Sequence, residues 1–148
     1  MGRLFIAVLL LAACSTDTVY HHFESTSDEG WDKEDTLTMQ TDEMQETGTY
    51  ALTLDVRTTE EYPYQDLSLM VEETLLTSKA KRLYPVTLQI ATRQGERNEE
   101  GLAYSEFRRE LSKQYIRKGE KIRFRIYHKM RRLVLPGVKD VGIKLKVE

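Results

Sequence analysis

A regular alternation of apolar and polar residues runs through most of this chain and limits the folds open to it. The clearest example is the segment GTYALTLDVRTT. Because successive side chains of a β-strand point to opposite faces, this period of two predicts a strand with one buried face. The same pattern recurs in several segments, and the positions expected inside are Tyr50, Leu52, Leu54, Val56, Leu67, Leu69, Val71, Val86, Leu88, Ile90, Ile122, Phe124, Ile126, Val141, Ile143, Leu145 and Val147.

The strands are short and numerous, with turn residues between them and no alternation of strands with helices. The segment TVYHHFE predicts a first strand, with Val19, His21 and Phe23 on one face, and LTMQT predicts a short strand after it. This spacing predicts an all-β fold, namely an antiparallel two-sheet β-sandwich that is jelly-roll-like.

One segment carries a weak helical signal. In LAYSEFRRELSKQYIRKG, Phe107, Leu111 and Tyr115 recur every four residues, and Gly119 is placed as a C-terminal stop. The spacing predicts a helix here, although a strand around residues 102–107 fits the start of the segment equally well.

The N-terminus has the composition of a signal peptide. A short cationic start is followed by an unbroken apolar run from Leu4 to Ala13. As a helix at about 1.5 Å per residue, this run reaches only about half of the ~30 Å hydrocarbon core of a bilayer. We therefore predict a signal peptide helix over residues 1–13 rather than a membrane span.

Cys14 follows this run and is the only cysteine of the chain, so it cannot form an internal disulfide. The residues Leu11-Ala12-Ala13-Cys14 resemble the lipobox of bacterial lipoproteins, in which the cysteine thiol receives a diacylglycerol and the peptide is cut before it. This predicts a lipidated Cys14 with a short tether over residues 14–18 and a single domain over residues 19–148. The alternative is a buried free thiol.

Charge is distributed unevenly along the chain. Residues 14–76 carry sixteen acidic and two basic side chains, whereas residues 77–148 carry nineteen basic and eight acidic ones. We expect the acidic strands to pair with the basic strands inside one domain; the alternative is a bipolar surface that steers a charged partner. No nucleic-acid-binding pattern accompanies the basic part, so nucleic acid is not an expected partner.

Residues able to carry chemistry are present, but their spacing is unspecific. His22 and Glu24 could bind a metal only with a third ligand such as His128, and the acidic loop of residues 28–35 lacks the pattern of a calcium-binding loop. No hydrolase or phosphate-binding motif occurs. We therefore expect no enzymatic activity and no cofactor.

Aromatic and basic residues in loop-like surroundings are the candidate contact residues for a partner or a glycan: Trp31, Tyr62, Tyr64, Arg131 and Arg132. Exposed rings of this kind can stack on a sugar or on a partner side chain. More commonly, such rings cap the ends of a sandwich core and use their polar atoms locally.

Three ordered segments carry a resemblance to a known family: VYHHFE followed by GWDKEDTL, then YALTLDVRTTEEYPYQDLSL, then KMRRLVLPGVKDVGIKL. Together, and behind a lipobox, they resemble the gliding motility-associated lipoprotein GldH family of Bacteroidetes. The resemblance implies an outer-membrane-associated lipoprotein of gliding or type IX secretion machinery that acts by binding, with envelope proteins as partners and the membrane reached through Cys14. The alternative is a surface lipoprotein that binds carbohydrate.

Overall fold

The computed structural model describes residues 17–91 and 104–148, and every regular element in this part of the chain is a β-strand. The ten strands are β1 (Thr18–Ser25), β2 (Trp31–Asp32), β3 (Leu37–Gln40), β4 (Gly48–Thr58), β5 (Asp66–Leu75), β6 (Lys81–Gln89), β7 (Ser105–Ile116), β8 (Ile122–His128), β9 (Val134–Leu135) and β10 (Val138–Val147). The all-β prediction is confirmed. The expected signal peptide helix and Cys14 lie outside the described residues, and the described part contains no helix able to cross a bilayer.

Eight of the strands form two antiparallel sheets of four. The first sheet has the order β1-β10-β4-β7 and the second has the order β3-β8-β5-β6, while β2 and β9 form a small separate ribbon. Side chains of both sheets belong to one hydrophobic cluster, so the arrangement is sandwich-like. The two strand orders are those of a jelly roll.

The alternation of the sequence correctly predicts the buried face of most strands. Leu54 of β4, Val71 of β5 and Ile126 of β8 are all completely buried. The prediction is wrong for Val147, which is 38% exposed. Val147 is the last residue of β10 and lines an open cavity, so no strand of the facing sheet covers it.

The helix predicted between residues 102 and 119 is wrong, because Ser105–Ile116 forms the edge strand β7. Its pairing with β4 is interrupted by a bulge, at which Leu111 is the extra residue. The buried positions change phase there, from Phe107 before the bulge to Ile116 after it. The extra residue breaks the period of two, which is why Phe107, Leu111 and Tyr115 recur at a helix-like spacing. Tyr115 does not belong to the buried face, since it is 63% exposed.

The strand topology places the acidic part of the chain beside the basic part. Each pairing in the described ranges joins a strand before residue 77 to a strand after it. Acidic and basic strands therefore become neighbours, as the sequence predicts. The ion pairs that join an acid of the first part to a base of the second include Asp55 with Arg108, Glu72 with both Lys81 and Arg125, and Glu73 with Arg82.

A packed array of side chains covers part of the outer face of the first sheet. Phe23 of β1 lies opposite Gly142 of β10, and a Cβ atom at Gly142 would come within 2.7 Å of the Phe23 ring. The Arg57 guanidinium lies 4.3 Å from the centroid of that ring and forms an ion pair with the buried carboxylate of Asp140. The missing side chain at position 142 is therefore what lets this array form.

Candidate functional site

One end of the two sheets lies at the beginning of β1, and the other end lies far from it. At one end, where β1 begins, the Val147 N–H donates to the Asp17 carbonyl over 2.8 Å, so we call this the N-terminal end. The eight residues of β1 extend roughly 25 Å from it, at about 3.3 Å per residue. The turn segments 26–30, 59–65 and 129–133 lie at the opposite end, which we call the distal end.

A cavity of about 250 Å³ at the distal end brings together three of the five residues that the sequence singled out. Tyr64, Arg131 and Arg132 line it, together with Lys129 and Met130. Neither Arg131 nor Arg132 forms an ion pair with another residue of the described ranges. The cavity therefore presents one aromatic ring, one thioether and three positive charges.

Tyr64 is held in place by the corner that precedes β5. Tyr62 is buried there, its ring is 5.8 Å from that of Tyr64 in an edge-to-face arrangement, and its hydroxyl donates to the Asp66 carbonyl. The backbone of Tyr62 packs closely on Gly137, which has a φ of +82° and no space for a Cβ atom. Tyr62 is thus a structural support for the site, and Tyr64 is its half-buried contact residue.

The basic side of the cavity follows directly from the end of β8. The Lys129 N–H donates to the Ser68 carbonyl over 2.8 Å, and the Met130 sulfur accepts from the Ser68 N–H over 3.4 Å. These contacts tie the start of the turn to the second sheet. Beyond them the chain projects into solvent, where Leu133 is 72% exposed.

Trp31 is completely buried beneath this turn, in the ribbon of β2 and β9. Its indole N–H donates to the Asp35 carbonyl over 2.8 Å, and its ring meets that of His128 edge-on at 5.4 Å. His128 Nε2 lies 3.0 Å from the Trp31 carbonyl, which can only accept, so Nε2 carries the proton. Burial lowers the pKa of His128, which favours the neutral ring.

The candidates for metal binding are not assembled into a cluster. His22 pairs with Glu24 at 2.8 Å, but His128 is buried against Trp31. The acidic residues of the 28–35 loop are exposed: Asp28, Glu29, Asp32, Glu34 and Asp35. Within residues 17–91 and 104–148, no three His, Cys, Asp or Glu side chains are grouped as metal ligands.

The sequence reasoning missed Lys129 and Met130 as members of the cavity. The signal that identifies them is the basic run KMRR immediately after a strand that ends at His128. Side chains that neighbour one another in a turn directly after a buried strand lie close together. Choosing Arg131 as a candidate therefore indicated Lys129 as a second candidate.

The fold and the cavity define a class, namely a small antiparallel, sandwich-like β-domain with a basic and aromatic cavity at the end away from the beginning of β1. Residues 18–145 match the family model described as GldH lipoprotein, and the chain belongs to this family. It is therefore a lipoprotein of gliding-motility type, anchored through lipid to a membrane of the cell envelope.

Among solved structures, two weak similarities span most of the chain. Eiger TNF from S. frugiperda is 7% identical, with a TM-score of 0.43, over 86% of this chain and 92% of that chain. Dimeric latent PorU from Porphyromonas gingivalis is 8% identical, with a TM-score of 0.38, over 86% of this chain and 12% of that chain. No curated protein matches the sequence.

Proposed function

We propose that this chain is a non-catalytic accessory or assembly component of gliding or type IX secretion machinery, held at the outer membrane by a lipid on Cys14. Its distal end docks an acidic surface of an envelope protein. The observation that carries this proposal is the distal cavity, where Arg131 and Arg132 lie beside Tyr64 and near the exposed Leu133 and form no ion pair with any residue of 17–91 or 104–148. Arginine and aromatic side chains with exposed apolar neighbours are enriched at protein interfaces.

The position of the cavity agrees with anchoring at the other end of the fold. Only three residues, 15–17, separate Cys14 from β1, so the Cα atom of Cys14 lies at most about 14 Å from that of Thr18, the first residue of the strand. A lipid on Cys14 therefore keeps the N-terminal end close to the bilayer. The distal cavity then points away from the membrane and is accessible to a partner.

The side chains of the cavity suit binding better than catalysis. A phenol, a thioether and three cations supply stacking, apolar contact and charge, but none of them forms a pair of nucleophile and base. The carbohydrate-binding alternative needs several exposed rings, whereas Trp31 and Tyr62 are buried and only Tyr64 is accessible at this site. We therefore favour protein docking.

The first experiment tests the anchor. We expect Cys14→Ser to accumulate as an uncleaved precursor that takes up no labelled fatty acid, because the hydroxyl cannot receive the diacylglycerol through a thioether. The measurement is metabolic labelling followed by mass spectrometry of the purified protein. Cleavage and envelope retention of this variant at the level of the unmodified chain would disprove the role of Cys14.

The second experiment tests the distal cavity by charge reversal. In Arg131→Glu/Arg132→Glu, we expect at least tenfold less envelope protein to co-purify with the tagged chain after crosslinking, because two repulsive charges replace two attractive ones. The matched control is Arg117→Glu/Lys118→Glu, which makes the same charge change at exposed positions of the N-terminal end. Equal recovery from both variants would contradict distal docking.

A further inference from the structure

The four edge strands of the two sheets differ in how they are protected against pairing with another chain. β3 has only four residues, β6 contains Pro85 in its middle, and β7 carries several basic side chains and the bulge at Leu111. Short length, proline, charge and bulges all hinder the addition of a further strand. β1 has eight residues and contains no proline, lysine or arginine.

β1 pairs with β10 alone among the described strands, so its other edge is unpaired within this part of the fold. The exposed Val19, which is 49% accessible, lies near its start. A register irregularity between Thr18 and Tyr20 bends the first residues of the strand, but the pairing is continuous from Tyr20 to Ser25. β1 therefore offers a regular free edge of six residues.

An apolar cavity of about 310 Å³ lies beside the beginning of β1. Its apolar lining comes from Val19, Tyr20, Met44, Tyr50 and Val147. Val19 and Val147 are two of the exposed apolar side chains of the described fold, and both belong to this one cavity. An apolar side chain entering it would remove both from water.

The rim of the same cavity is acidic. Asp42, Glu43 and Glu46 line it, and none of the three is ion-paired with another described residue. Burial raises the pKa of Tyr20, and the carboxylates of Glu24 and Asp42 raise it further, which reports a negative potential at this position. A positive charge on a partner would be attracted here.

We propose that β1 accepts an extended segment of an envelope protein as a fifth strand of the first sheet, with an apolar side chain in this cavity and a neighbouring lysine or arginine against Asp42, Glu43 and Glu46. Backbone hydrogen bonds supply affinity in such strand addition, and pockets for alternate side chains supply selectivity. A second copy of this chain fits poorly as the added strand, because β1 contains no lysine or arginine to place against this acidic rim. The inference goes beyond the proposed function, since it concerns a second surface of the fold and does not require the distal cavity.

The test uses the lipidated mature protein in a non-ionic detergent and two fluorescein-labelled peptides of eight residues, one alternating valine with lysine and the other alternating valine with glutamate. We expect the lysine peptide to bind at least tenfold more tightly by fluorescence polarisation. Val19→Lys should weaken that binding at least tenfold, whereas Tyr115→Lys, an exposed position on the edge strand β7, should change it less than twofold. Hydrogen exchange should show slowed amides in residues 20–25.

Any of three results of the peptide experiment would overturn the inference: equal affinity for the two peptides, slowed exchange at residues 129–134 instead of β1, or slowed exchange of β1 in a self-associated sample without peptide. The proposed function is judged separately, by co-purification from envelopes. If Val19→Lys retains its envelope partners while the Arg131→Glu/Arg132→Glu variant loses them, strand addition at β1 fails and distal docking stands. The reverse result supports strand addition and removes distal docking.

Discussion

Gly142→Ala is the substitution whose effect the structure predicts most sharply. The new Cβ atom would lie 2.7 Å from two ring atoms of Phe23, well inside contact distance, so the ring must move. That ring is held by Arg57, whose guanidinium is 4.3 Å from its centroid and is fixed by Asp140. Overpacking of this kind costs about 1–3 kcal/mol, and losing an exposed cation–π contact adds about 0.5–1 kcal/mol.

The effect of Gly142→Ala on the free energy of unfolding should change sign when Phe23 is replaced by alanine. Gly142 has no positive φ, so alanine is compatible with its backbone, and Gly→Ala at such a site stabilises by about 0.4–1 kcal/mol. In a Phe23→Ala background, Gly142→Ala should therefore raise the free energy of unfolding instead of lowering it. The resulting coupling energy between the two positions is about 1.5–4 kcal/mol.

The assay is urea unfolding of the four proteins of this double-mutant cycle, supported by thermal melts in which 1 kcal/mol corresponds to roughly 3–5 °C. The matched control is Gly48→Ala in β4, where the nearest atom to the new Cβ is a Tyr50 ring carbon at an ordinary 3.8 Å. We expect it to raise the free energy of unfolding by about 0.4–1 kcal/mol, because this glycine has neither a positive φ nor a close contact. Additive effects of Gly142→Ala and Phe23→Ala would refute the contact, and with it the register of β1 on β10.

Two further predictions concern the core and its pH dependence. Leu54→Asp should abolish the cooperative melting transition, because it places an unpaired charge at a completely buried position; an unchanged melting temperature would show that the face of β4 is assigned wrongly. Because burial lowers the pKa of His128, the unfolded chain binds the proton more readily, and the free energy of unfolding should fall as the pH drops below about 6.5. Urea unfolding at pH 7.5 and 5.5 measures this fall, which should be smaller in His128→Gln; the same fall in both proteins would assign it to other groups.

The candidate contact residues at the distal end show how far the sequence alone could lead. It identified Trp31, Tyr62, Tyr64 and the two arginines by residue type and loop-like surroundings. Their exposure could not follow from that, because the chain around Trp31 becomes a strand of a ribbon with β9, more than 100 residues away. Trp31 and Tyr62 support the site from inside, whereas Tyr64 reaches the cavity.

The unpaired edge of β1 was also beyond sequence reasoning. A strand's own residues do not show whether it lies in the middle of a sheet or at its border. That depends on which strands pair with it, and here β10, from the other end of the chain, takes one side of β1 and leaves the other free within the described fold. The absence of Pro, Lys and Arg from TVYHHFES is informative only once β1 is known to be an edge strand.

What the sequence determined by itself was local: most of the strands with their buried faces, and the family. These depend on the period of the backbone or on contiguous residues, so Leu54 and Ile126 could be placed inside without knowledge of their partners. The tertiary structure alone decided which acidic strand pairs with which basic strand, where β7 has its bulge, and where the two cavities lie. Each of these features depends on contacts between residues that are distant in sequence. Which of those contacts form is decided by burial of the whole hydrophobic core.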